Sequence, residues 1–246
     1  MGAVDSGLEA AEFDLAVTPL RDLNAALHAV EKDAAAEDGL AVGTPRHWRV
    51  LNPRGAHALA VGIDAPIEVE IEGHAGYYCA GMNKEATVRV HGNVGVGCAE
   101  NIMSGAVIVD GNASQSAGAT GRGGLVVIRG SASARCGISM KGVDIVVHGS
   151  VGHMSAFMAQ KGCLVVCGDA GEALGDSIYE AHVYVRGKVA DLGADCVEKE
   201  MRDEHAAELS GLLERAEVEG VYADDFRRYG SARKLYNFHV DNAGEY

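Results

Sequence analysis

The residues of this chain best suited to chemistry are its six cysteines, its histidines and a glycine-rich loop. The cysteines are Cys79, Cys98, Cys136, Cys163, Cys167 and Cys196, and no two are separated by two residues, so neither a zinc knuckle nor a dithiol redox motif is spelled out. Cys79 and Cys98 lie 19 residues apart and Cys136 a further 38, with Ala117 between them and Ser155 beyond. Stacked at one phase, they read as an interior column. A disulfide between neighbouring turns is geometrically open, but small buried thiols suit a reducing compartment better. A metal needs His or acidic partners at the same phase, where Ala117 and Ser155 stand instead.

The loop Gly118-Ala-Thr-Gly121-Arg-Gly123-Gly124 invites a phosphate-binding reading. It lacks both G-x-x-x-x-G-K-[ST] and a G-x-G-x-x-G that opens a helix. The strand-like Leu125-Val-Val-Ile128 follows it, where a phosphate loop needs a helix N-terminus. No serine sits in a G-x-S-x-G elbow, and Gly2 rather than a cysteine follows Met1. His91 and His148 share an outward phase with Glu72, Asp110, Arg129 and Arg186, which reads as a solvated charge ladder. Met140, Met154 and Met158 around Phe157 read as filling for a thick section of core, the other reading being a soft binding patch. No set of these residues assembles a catalytic centre.

What would position such residues is a repeat. Gly73, Gly92, Gly111, Gly130, Gly149, Gly168 and Gly187 follow one another at intervals of 19 residues. Two residues before each stands Ile71, Val90, Val109, Ile128, Val147, Val166 or Val185, and four before stands Val69, Val88, Val107, Val126, Ile145, Leu164 or Val183. That alternation is the period of a strand. After the glycine comes Asn93, Asn112, Ser131, Ser150 or Asp169, then a small apolar residue such as Val94 or Ala113. The reading is a corner: glycine supplies φ > 0, and the polar residue bonds its own backbone. The unit is too short for a propeller blade and lacks the helical half of ankyrin or tetratricopeptide repeats. One coil of a parallel β-helix remains, and seven coils at ~4.8 Å each make a rod roughly 30 Å long.

The flanks divide the chain into a loose lead-in (1–17), an N-terminal helix with capping strands (18–66), the β-helix (67–196) and a C-terminal helix with a tail (197–246). Thr18 reads as a helix N-cap with Pro19 at the first helical position, followed by Leu20, Leu23, Leu27 and Val30 on one face. Trp48 is expected to cover the open end of the first coil, since terminal solenoid units need capping. Glu198 to Glu219 places Met201, His205, Leu209, Leu212, Leu213 and Ala216 on one side of a helix. In the tail, Arg227, Arg228, Tyr229, Arg233 and Tyr236 concentrate Arg and aromatics, a mix favoured at protein interfaces. They form either a partner surface or a segment folded back along the rod. The formal charge of −14 argues against nucleic acid. No stretch approaches the ~20 apolar residues of a membrane span, and no secretory segment opens the sequence, so a cytoplasmic protein is expected.

With the repeat laid out, the chain resembles the GXGXG domain at the C-terminal end of the glutamate synthase large subunit. The stretches that carry the likeness include Val50-Leu-Asn-Pro-Arg-Gly55, Gly76-Tyr-Tyr-Cys-Ala-Gly-Met82, Gly152-His-Met-Ser-Ala-Phe-Met-Ala-Gln-Lys-Gly162 and Phe226-Arg-Arg-Tyr-Gly-Ser-Ala-Arg233. The likeness is strongest to the free-standing form of that domain, the middle subunit of N-methylglutamate synthase. A literal G-x-G-x-G does not occur. The resemblance implies an all-β, right-handed, single-stranded parallel β-helix with flanking helices. It also implies a non-catalytic subunit joining a class II amidotransferase-like subunit to an FMN-binding, iron–sulfur synthase subunit. The complex would turn methylamine and glutamate into N-methylglutamate and ammonia; the alternative is a glutamate-synthase-like complex using glutamine or ammonia. On this reading the chain itself holds no catalytic, cofactor or metal residue, and FMN and the iron–sulfur cluster belong to the partner. A stand-alone polysaccharide-active β-helix would need a carboxylate- and aromatic-lined groove that the mixed-charge ladders do not offer. The β-helix subunit of formylmethanofuran dehydrogenase is a further scaffold of this kind, which the flanking helix and Arg-rich tail fit less well.

Overall fold

The alternating segments become short strands paired in the register that the 19-residue interval demands. In a computed structural model, which describes residues 10–37 and 39–234, these are β3 (Glu68–Ile71), β4 (Thr87–Val90), β5 (Ala106–Val109), β6 (Leu125–Ile128), β7 (Asp144–Val147), β8 (Cys163–Val166) and β9 (His182–Val185). Neighbours pair in parallel, Val69 beside Val88, Val88 beside Val107, and so on to Leu164 beside Val183. Both inward columns are fully buried, giving one continuous aliphatic core. A second line of contact runs through single-residue bridges, Ala75 to Val94 to Ala113 to Ala132 to Val151 to Ala170 to Val189. The chain is therefore the expected parallel β-helix with a helix on each flank. Among the described residues no helix is long and apolar enough to cross a membrane.

The corner glycines serve a different physical need from the one the sequence suggests. Of the seven, only Gly73 has a positive φ, +135°. At the other corners the backbones of successive coils touch: Gly111 N–H donates to Gly92 O at 3.0 Å and Gly130 N–H to Gly111 O at 2.9 Å. A Cβ on Gly130 would stand 2.5 Å from Asn112 Oδ1 and 2.7 Å from Gly111 O. Steric exclusion, not torsional freedom, is what keeps glycine there. The polar residues that follow also look outward from their own coil. Asn93 Oδ1 accepts from Asn112 N–H (2.7 Å), Asn112 Oδ1 from Ser131 N–H (2.8 Å), and Ser150 Oγ from Asp169 N–H (2.9 Å), making a ladder between coils rather than a local turn.

Positive φ is concentrated on another arc. In each of seven coils three alternate residues adopt the left-handed conformation: 58, 60 and 62; 78, 80 and 82; 97, 99 and 101; 116, 118 and 120; 135, 137 and 139; 154, 156 and 158; 173, 175 and 177. Only Gly62, Gly97, Gly118, Gly137 and Gly175 among them are glycine. Left-handed backbone costs an L-residue roughly 1–2 kcal/mol. It is held by bonds to both neighbouring coils, as where Arg135 N–H reaches His153 O (2.9 Å) and Gly137 N–H reaches Ala117 O (2.9 Å). The loop 118–124, which could have cradled a phosphate, is part of this arc, with Gly118, Thr120 and Gly124 at positive φ.

At the N-terminal end β2 (His47–Leu51) pairs with β3 at a 21-residue offset, His47 beside Glu68, and adds a preceding partial coil. The stretch read as a loose lead-in contributes β1 (Ala11–Asp14), parallel to β2, with Phe13 stacked on the buried Trp48 at 5.8 Å. Four residues are too few for a periodicity to show. Helix α1 spans Leu20–His28, buries Leu23 and Leu27, and is tied to the coil through Asn24 Nδ2 to Ala58 O at 2.8 Å. It starts one residue later than read. Pro19 (φ −61°, ψ 139°) is itself the cap residue, because its extended ψ lies outside the helix. At the far end the sheet continues as β9, β11 (Arg227–Ser231), β10 (Cys196–Lys199), both added strands antiparallel.

Candidate functional site

The outer face of the sheet changes character along the rod. The outward column begins with Glu70 and Arg89 and continues with Ile108, Val127, Val146, Val165 and Tyr184. On the first part the charge ladder is solvent-exposed or half-buried and ion-paired: Arg49 with Glu72 (2.8 Å), His91 with Asp110 (2.7 Å) and Arg129 with Asp110 (3.3 Å). On the second part lies helix α2 (Asp203–Arg215), burying Leu209, Leu212 and Leu213 against that apolar column in a second core. Burial of these leucines contributes about 1.5–3 kcal/mol each toward holding the helix on the sheet. His148, read as a solvated rung, is thereby covered; its Nε2–H donates to the Ala216 carbonyl at the helix end (3.1 Å), and burial lowers its pKa. The column turning apolar after Arg89 is the signal that the sequence carried and that a ladder of charges obscured.

Under the N-terminal half of α2 the polar groups converge. Glu208 accepts hydrogen bonds from His182 Nδ1 (2.7 Å) and the Tyr184 hydroxyl (2.5 Å), which hold its carboxyl down to about 2. Cys163 lies against the same carboxylate; burial, with Glu208 and Asp144 beside it, pushes its thiol far up. A nucleophilic cysteine requires the opposite shift, so this Cys, His and Glu do not form a hydrolytic triad. The donors lie within 4.8 Å of one another and match zinc by type. The carboxylate, however, is already engaged by the imidazole and the phenol. The second such cluster, Glu70, Glu72 and His91, has Glu72 and His91 engaged with Arg49 and Asp110.

Beside this network α2, β9, β10 and β11 enclose a cleft of about 250 Å³. His182, Lys199, Arg202, His205, Arg228 and Arg233 face it. His205, edge-on to His182 at 5.3 Å, has its pKa lowered first by burial and then by Arg228. Arg228 is only 7% exposed, and its Nε donates to the Glu200 carbonyl at 3.0 Å.

The tail residues read as a possible partner surface divide between the sheet and the surface. Arg228 and Tyr229 are buried inside the sheet as part of β11, because that strand fills the gap between β9 and β10. Arg227 donates to the Gly187 carbonyl (3.0 Å), and Arg233 pairs with Glu180 (2.6 Å). The described part of the tail folds back along the sheet as β11 with Arg227 and Arg233 exposed, while Tyr236 lies outside the described residues. The cysteine column is one of free buried thiols, with burial raising Cys98 and Cys136 to about 12. Met140 is fully buried as read, but Met154, Phe157 and Met158 are only half-buried, and on this arc it is Ala156 between the two methionines that faces the core.

The chain is 60% identical over 234 residues to Protein GlxC of Rhizobium meliloti (strain 1021), a match covering 95% of this chain and 99% of that protein. The chain belongs to the GlxC family. No family model matches it, and no solved structure is similar to it. This GlxC-family chain also exposes an apolar cluster on the turn arc of its first coils. Tyr77, Tyr78, Met82 and Met103 are each about half exposed, and Tyr77 stacks on His57 with ring centroids 4.4 Å apart. Two of them, Tyr78 and Met82, stand at left-handed positions, which aim large side chains outward at a torsional cost.

Proposed function

We propose that this chain is the non-catalytic scaffold subunit of a glutamate-synthase-like complex, and that the complex is an N-methylglutamate synthase. The observation that carries the reading is the arc of alternate left-handed residues. A G-x-G-x-G spacing supplies glycine at every second position, where left-handed backbone needs it. This chain keeps that backbone in seven successive coils while filling most of the positions with other residues. The family resemblance is thus supported by conformation where the literal motif is missing.

Two further observations support a scaffold. The regular coils bury their apolar columns completely, and the groups that resemble a triad are locked in a satisfied network under α2. The Tyr77, Tyr78, Met82 and Met103 cluster has the composition of a protein-binding surface, rich in Tyr and Met. In this reading a class II amidotransferase-like subunit and an FMN-binding, iron–sulfur synthase subunit hold the chemistry, and this chain fixes them relative to one another. The reconstituted complex, assayed with glutamate plus methylamine and separately with glutamine plus 2-oxoglutarate, tests it. Methylamine-dependent N-methylglutamate formation is expected. Turnover only with glutamine and 2-oxoglutarate would keep the scaffold and replace the reaction.

A further inference from the structure

We propose that the cleft between α2, β9, β10 and β11 binds a small oxyanion, either a short-chain carboxylate or inorganic phosphate. The proposal stands independently of the complex to which the chain belongs. Lys199, Arg202, Arg228 and Arg233 line the cleft against one carboxylate, Glu180, in a protein whose formal charge is −14. Such a local reversal of sign concentrates anions at the cleft.

The internal ion pairs do not use up this charge. Arg233 is paired with Glu180 (2.6 Å) and Arg202 with Glu204 (3.1 Å). Lys199 makes no ion pair among the described residues, and the guanidinium of Arg228 is bonded through Nε alone, to a neutral carbonyl. Arg228 is only 7% exposed and, among the described residues, no carboxylate bonds its guanidinium, so a buried cation is left able to take an anionic partner. Its two terminal nitrogens form a planar fork suited to two oxygens of a carboxylate or phosphate. His205 adds a neutral donor: its Nδ1 accepts from Arg202 N–H (3.2 Å), which leaves the proton on Nε2. The cleft, at about 250 Å³, lies below the roughly 300–1,000 Å³ of ordinary ligand pockets. That size, smaller than a nucleotide needs, suits an anion of a few heavy atoms.

The test is calorimetric titration of the full chain with inorganic phosphate and with succinate, each against sodium chloride at matched ionic strength. Saturable binding of at least one oxyanion, but not of chloride, is expected, and the stronger of the two identifies the ligand class. Lys199→Met, a change at a half-exposed side chain, should weaken it at least fivefold with an unchanged circular dichroism spectrum. Arg228→Lys, which keeps the charge and loses the fork, should weaken it at least tenfold. The His205 ring resonances should move on saturation. No saturable binding of either oxyanion, or equal affinity in Lys199→Met, overturns the proposal even if Arg228→Lys fails to fold.

Discussion

At the corners Gly92, Gly111, Gly130, Gly149, Gly168 and Gly187 stack with φ outside the left-handed region and with no room for a Cβ. On the turn arc of the same coils Tyr78, Arg135, Met154 and Met158 hold φ between +51° and +60° with room for whole side chains. Glycine is conserved in position along the repeat where backbones collide, and it is dispensable where the torsion alone favours it. The difference follows from magnitude. An αL torsion costs an L-residue roughly 1–2 kcal/mol, which bonds to two neighbouring coils offset. A side-chain carbon 2.7 Å from a carbonyl oxygen in the next coil requires the stack itself to shift.

Substitution separates the two regions by size of effect. Gly130→Ala should destabilise by about 3 kcal/mol, nearly as much as Gly130→Val, because the first carbon already collides. A loss below about 1 kcal/mol in chemical denaturation would erase the distinction. Gly137→Ala, at φ +68° with its nearest neighbours at 3.3 Å, should cost only about 1 kcal/mol, the torsional share. Arg135→Gly should reverse the sign, since the exposed Arg135 at φ +60° gives up left-handed strain; a gain of about 0.5–1 kcal/mol, seen as a rise of a few degrees in melting temperature, is expected. Destabilisation by Arg135→Gly would mean that the arc is not strained.

The repeat made most of the fold legible. A 19-residue interval without insertions fixes strand register, and the structure pairs Val88 with Val107 accordingly. The corner glycines were legible as corners but not as contacts, because close approach between coils is a tertiary fact while φ is a local one. Helix α2 could be read from Leu209, Leu212 and Leu213, yet what it covers depended on noticing that Val127, Val146 and Val165 replace charges in an outward column. The cleft was the least legible part. Lys199, Arg202 and Arg228 are brought together only by β11 entering the sheet between β9 and β10, a long-range antiparallel pairing with no repeat to announce it. The same pairing takes Arg228 and Tyr229 into the sheet and leaves Arg227 and Arg233 exposed.

The central claim is that this chain supplies a rigid platform and its partners supply the chemistry. Co-expression of the tagged chain with the products of its neighbouring genes, followed by size-exclusion chromatography with absorbance near the flavin bands, tests that claim most directly. A hetero-complex carrying flavin colour, weakened when Tyr77 and Tyr78 are both changed to Ser, is the predicted result. Elution of the chain alone and colourless would contradict it.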